Sequence, residues 1–353
     1  KAEYTVNVDK EGLCYVNVDY MSVGESLSDY TVKMAINGKQ QYSEMNTIAL
    51  PILWSDTEDN SYISSDAKKN FPLDSYGDEM APSQNRIQKW TNTYLYNNTY
   101  VSSAPLSFYL KKGTNKITIE NVSSGGLALG KLVAKEAKTD SQSYKEYKSQ
   151  HSDAELVKDS DDALQIDAVY YSQKNSTDAV YGSDANTSLT RFNIDHEKLN
   201  TLQWNAAGIE TTYTINVKKT GNYHITFHYD NGKKEFQAFE TIKVDGQVPF
   251  AELTNYAFDP VSSGYENETL SDKDGNAYDI YLTEGKHTIS IKQENEPVME
   301  AYRYALLLQQ HLTDFTLEIT KITGSDVDKN RNWKMTKYIP EIPSYLEAYE
   351  TVI

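Results

Sequence analysis

Tyr4-Thr5-Val6-Asn7-Val8, followed by Gly12, Val16, Val18 and Tyr20, returns 209 residues later as Tyr213-Thr214-Ile215-Asn216-Val217, followed by Gly221, Ile225, Phe227 and Tyr229. In both stretches apolar residues alternate with polar ones, the period of a strand with one buried and one wet face. A turn signal follows each stretch, Asn37-Gly38 in the first copy and Asp245-Gly246 in the second, now 208 residues apart. Such dipeptides suit two-residue turns that need φ > 0. A third match sets Tyr109–Ile119 against Tyr281–Ile291. The period far exceeds the roughly 20 to 50 residues of solenoid repeats, so the repeated unit is a whole domain. Short alternating strands joined by tight turns predict a mainly β chain of two antiparallel jelly-roll β-sandwiches, with a helical linker and a C-terminal helical segment. Gly12, Gly113, Gly221 and Gly285 are expected at left-handed hairpin positions.

The composition narrows the function. The 353 residues include 28 Tyr against nine Phe, and tyrosine suits half-buried sheets and polar recognition surfaces. A net charge of −17 argues against nucleic acid and anionic membranes, which require clustered Lys and Arg. The single cysteine, Cys14, excludes an internal disulfide and reads as a small buried hydrophobe. No apolar run reaches the roughly 20 residues of a membrane span, so no membrane insertion is expected. The direct entry from Lys1 into a strand reads as a mature or excised fragment.

Four segments are expected: a first jelly roll over 1–138, a part-helical linker over 139–162, a second jelly roll over 163–297 and a helical segment over 298–353. The second jelly roll is expected to open on an alternating strand, Leu164–Tyr170. Met299, Tyr302, Leu306 and Phe315 recur at helical steps, Gly324 suits a left-handed cap, and Ser344 is expected to cap a last helix from Tyr345.

Trp204 with the Tyr213–Tyr229 strand pair, Ile242–Phe250, the Leu270–Leu282 segment with its Asp274-Gly275 turn, Gly285-Lys286-His287-Thr288 and Ile319–Gly324 with Ile339-Pro340 resemble the N-terminal region of multidomain extracellular solute-binding proteins of sugar-type ABC transporters in Gram-positive bacteria. The resemblance covers roughly residues 163 to 345, and reaches the first copy only through the repeat. It implies galactose-binding-like jelly rolls similar to carbohydrate-binding modules, on a cell-surface lipoprotein whose partners are an oligosaccharide or polysaccharide, a C-terminal solute-binding domain and an ABC permease. Such sugar modules often hold a structural calcium, yet no residues here identify one, and no other cofactor is expected.

The copies differ most between the Asn-Gly or Asp-Gly turn and the last hairpin, where the first carries an aromatic insertion over 51–105. Aromatic faces stack on the C–H face of a pyranose while short carboxylates and amides take its hydroxyls. Trp54, Asp56, Tyr62, Trp90, Asn92 and Tyr94 are therefore the candidate carbohydrate ligands, against the bland alternative of a mini-core beneath a long loop; Trp90 and Tyr94 could equally form one helix face. Tyr256, Phe258 and Tyr265 form a secondary candidate surface, and Trp204 reads as a buried sandwich residue. Asp326–Asn330 and Asp272–Asn276 have partial calcium-loop spacing but lack the glycine and the last carboxylate ligand. Nucleophile elbows, metal-spaced His pairs and phosphate loops do not occur, so no catalytic residue is expected. A glycan-binding region is the leading reading, a structural spacer the second, and a glycoside hydrolase the third.

Overall fold

The computed structural model describes residues 1–56, 71–137, 141–157, 164–184, 198–232 and 235–352. It divides into two compact units, Lys1–Asn295 and Glu296–Ile353. The first unit contains both jelly rolls. Its N-terminal part runs β1 (Ala2–Val8), β2 (Gly12–Val23), β3 (Tyr30–Ile36), β4 (Ile48–Leu50), β5 (Trp54–Ser55), β6 (Asn85–Arg86), β7 (Thr91–Tyr94), β8 (Tyr96–Asn97), β9 (Ser107–Leu110), β10 (Gly113–Asn121) and β11 (Gly126–Glu136). After helix α1 (Tyr144–Gln150) come β12 (Gln173–Lys174), β13 (Val180–Gly182), β14 (Thr201–Gln203), β15 (Glu210–Val217), β16 (Gly221–Tyr223), β17 (Thr226–Tyr229), β18 (Ala238–Val244), β19 (Tyr256–Phe258), β20 (Glu266–Thr269), β21 (Ile280–Leu282) and β22 (Gly285–Glu294).

The repeat is reproduced strand by strand. One sheet of the first jelly roll has the order β1-β10-β3-β4-β8, and β15-β22-β18-β19 repeats it in the second. Opposite it, β11-β2-β7 with β9 on β2 is matched by the smaller pairs β16-β21 and β17-β20. Even the 3-10 turns Ser43–Asn46 and Ala251–Leu253 correspond, each burying one apolar residue, Met45 or Leu253. Alternation drives this. The inward residues Val16, Val18, Tyr30, Val32, Phe108, Ile117 and Ile119 close one core, and Ile215, Ile242, Phe250, Leu270, Ile280 and Ile289 close the other. Cys14 belongs to the first core.

The turns behave as the dipeptides require: Asn37 and Gly38 have φ of 51° and 79°, Asp245 and Gly246 of 50° and 75°. Gly113 and Gly285 are left-handed, whereas Gly12 and Gly221 are not. Gly221 serves a different purpose, since a Cβ there would lie 2.6 Å from Val157 Cγ2 and 2.8 Å from the Glu155 carbonyl.

Three other expectations change. Leu164–Tyr170 forms no strand; Tyr170 N–H turns back to the Asp167 carbonyl, and Ile166 and Ala168 pack on a small third core instead. The helix of the expected linker is part of the second jelly roll: Tyr147 is buried in its core and Tyr144 packs against it, with a capping box between Ser143 and Glu146 at its start. The last helix begins at Ile342, three residues before Tyr345; Pro343 falls in its first turn, where a missing N–H costs nothing.

The two jelly rolls share a sheet. Between β4 and β7 the offset to the second copy falls from 208 to 175, so the 33 extra residues of the first copy lie there. Part of them leaves its own module: β5 pairs with β12 through Trp54 and Lys174, and β6 pairs with β5. The resulting sheet, β19-β18-β22-β15-β12-β5-β6, takes its last two strands from the insertion. Arg86 on β6 reaches back to Ser22 and the Gly24 carbonyl of the first jelly roll.

In the second unit, α2 (Glu296–Thr323) ends at Gly324 with φ of 76°, and Phe315 packs edge-on against Tyr345 of α3 (Ile342–Val352). None of the described helices is long and apolar enough to cross a membrane.

Candidate functional site

The outward face of β2 and β7 gathers polar groups beside an exposed aromatic. Inward Val16, Val18 and Tyr20 force Tyr15, Asn17 and Asp19 outward, and the register sets Asp19 opposite Asn92 and Asn17 opposite Tyr94. Asn92 donates from Nδ2 to Asn17 Oδ1 and, at 2.6 Å, to Asp19 Oδ1. This arrangement leaves Asn92 Oδ1, Asn17 Nδ2 and Asp19 Oδ2, two acceptors and a donor, outside the trio's own hydrogen bonds. Trp90, 55% exposed, heads the same row. It lies over a bulge in β11, where Gly130 and Lys131 together oppose Asp19; a Cβ on Gly130 would sit 3.0 Å from both the indole and Asp19 Cβ. The Tyr4 hydroxyl pins the bulge by donating to the Gly130 carbonyl at 3.0 Å. Tyr94, half-buried, meets Tyr15 edge-on at 6.2 Å further along.

The other insertion residues go elsewhere. Trp54 is 6% exposed and sits in the first core, so its ring has no face to offer a ligand. Asp56 accepts from the Tyr181 hydroxyl of the second jelly roll. Tyr62 lies outside the described residues. Trp90 and Tyr94 belong to an extended segment, not to a helix face. In the secondary group Phe258 is buried at 5% exposure, and Tyr256 spends its hydroxyl on Glu268 at 2.6 Å. Tyr265 stacks on His228. Trp204 is half-buried against the third small core and bonds Glu240.

Asn17, Asp19 and Gly130 were missed from sequence. The outward phase of the repeated strand marks Asn17 and Asp19, because the second copy has Thr226 and His228 there. Nothing local marks Gly130.

Where the modules meet, charged groups are buried. Lys292 lies on the sheet face covered by the first jelly roll, 3.0 Å from Glu294 Oε1. Tyr96 and Tyr100 close over its ammonium at 4.5 and 5.4 Å. Gly208 makes room, since a Cβ there would overlap the Tyr100 ring at 2.4 Å. Burial pushes both phenols up and the Lys292 ammonium down. On the opposite face of β18, burial raises the Glu240 carboxyl to about 8, against the lowering effects of the Trp204 hydrogen bond and of Lys292. Glu240 Oε2 has no hydrogen-bond partner among the described residues.

The other motifs are structural. Asp272 accepts from Asp274, Asn276 and the Asn276 amide, folding the hairpin turn. Asp328 accepts from Asn330 N–H in the same manner. Among the described residues no group of three or more His, Cys, Asp or Glu could hold a metal ion.

Residues 300–353 match the family described as bacterial solute-binding protein, 4-helix bundle domain. The match lies within the helical unit and supports a relation to the solute-binding proteins of ABC transporters. No curated protein matches the chain.

Proposed function

We propose that this chain is a non-catalytic, extracellular carbohydrate-binding region of an ABC-transporter solute-binding protein, anchored at the cell surface through a parent lipoprotein and serving a permease. The observation that carries the reading is the Trp90 face: an exposed indole beside Asn17, Asp19 and Asn92, whose mutual hydrogen bonds leave donor and acceptor atoms free for hydroxyls. An aromatic ring takes the apolar face of a sugar and short polar groups fix its orientation. The trio contains one carboxylate, whereas glycoside hydrolysis needs two across the scissile bond.

The test is titration calorimetry on cello-, malto-, xylo- and manno-oligosaccharides with the whole chain. The expected result is binding of one series, weakened at least tenfold by Trp90→Ala and by Asn92→Ala. Unchanged affinity in Trp90→Ala would move the site off this face. No turnover of chromogenic glycosides is expected.

A spacer reading draws on a specific observation too. Trp54, Tyr96 and Tyr100 are spent in joining the two jelly rolls, so much of the insertion is architecture. The two roles coexist: the insertion fixes the modules and leaves Trp90 at their surface.

A further inference from the structure

The repeat places the Trp90 constellation twice. Asn92 on β7 corresponds to Asn267 on β20, Trp90 to Tyr265, and Asp19 on β2 to His228 on β17. The correspondence is one of geometry as well as alignment. Asp19 stands opposite Asn92 in its ladder, and His228 stands opposite Asn267 in the other. Asn92 bonds Asp19 at 2.6 Å, and His228 Nδ1 lies 3.0 Å from Asn267 Oδ1. In each module an aromatic residue two positions before the asparagine lies against the residue that the asparagine bonds. Trp90 neighbours Asp19 over Gly130, and Tyr265 stacks on the His228 ring with centroids 5.1 Å apart and planes within 15°. Asn92 and Asn267 are both exposed.

We infer that the second jelly roll carries a second saccharide site at Tyr265, His228 and Asn267, so that one chain engages a glycan at two points. This inference rests on the reading of the Trp90 face given above. The chemistry is the same in kind: an aromatic ring for a C–H face, an exposed amide for hydroxyls, and a ring nitrogen in place of the carboxylate. His228 Nε2 lies 3.6 Å from Asp184 Oδ2, which brings a carboxylate back to this site from another loop. The partner class is a neutral oligosaccharide or polysaccharide long enough, when polymeric, to meet both faces. Two weak sites on one rigid body raise apparent affinity for a polymer well above that of either alone, by about 10² or more when the geometry allows.

The experiment is calorimetric stoichiometry with the trisaccharide of whichever series binds, and pull-down on the matching insoluble polysaccharide. The expected result is two sites per chain. Trp90→Ala and Tyr265→Ala should each leave one, the double variant none, and each single variant should lose most polymer retention. Circular dichroism of Tyr265→Phe, which keeps the ring, controls for folding and should accompany retained binding. One site that vanishes in Trp90→Ala while Tyr265→Ala binds as wild type would overturn the second site and leave the first standing. No binding of any oligosaccharide by the wild type would overturn both.

Discussion

At the residue scale the second jelly roll buries a carboxyl that pH can address. Glu240 is 8% exposed and its carboxyl rises from 4.5 to about 8 in the fold. The unfolded chain therefore loses this proton first as pH rises, so folding is favoured below about 4.5 and the contribution is lost on the way to about 8. The slope is at most ~1.4 kcal/mol per pH unit. Glu240→Gln, with no proton to lose, should show melting temperatures that vary less over that window than wild type; parallel profiles would contradict the assignment. Lys292→Met should cost ~3–5 kcal/mol by denaturant titration, because it strands Glu294 among buried groups. Adding Glu294→Leu should recover most of that loss. A single variant within ~1 kcal/mol of wild type would mean the pair is solvated.

At the scale of elements, β5 decides what the insertion is for. Trp54 places its ring in the first core and its backbone in the sheet of the second jelly roll. Trp54→Ala should destabilise the protein by ~3–5 kcal/mol, read as a lower urea midpoint, while oligosaccharide affinity at 25 °C stays unchanged. A loss of affinity without a loss of stability would return Trp54 to the binding surface. The strands themselves were legible because alternation reports one wet face, and the glycine turns because φ > 0 has few occupants. The pairing of β5 with β12 was not legible: a two-residue strand carries no period, and composition cannot separate an aromatic used as a wedge between modules from one left in solvent. Trp54 and Trp90 look alike in sequence, and only their neighbours differ. Leu164–Tyr170 failed for a related reason, since alternation records burial and does not by itself distinguish a paired strand from a packed loop.

At the scale of the whole molecule, two modules that share a sheet and bury an ion pair at their seam should melt as one. Calorimetry on residues 1–295 is expected to show a single transition whose van't Hoff and calorimetric enthalpies agree; two resolved transitions would show the seam to be weaker than its contacts imply. The duplication was plain in the sequence, but the correspondence of Trp90 with Tyr265 was hidden. Trp90 and Tyr265 differ in residue type and stand at an offset of 175, beyond the insertion, so the equivalence emerges only when both ladders are seen. The shared sheet also has a consequence for how the chain is made. Strand β5 leaves the ribosome well before β12, so the nascent first jelly roll must carry an open strand edge until more than a hundred further residues have emerged. Open edges are templates for wrong partners, and contacts this distant in sequence form slowly. Residues 164–295 produced alone would show the same open edge from the other side, on β12.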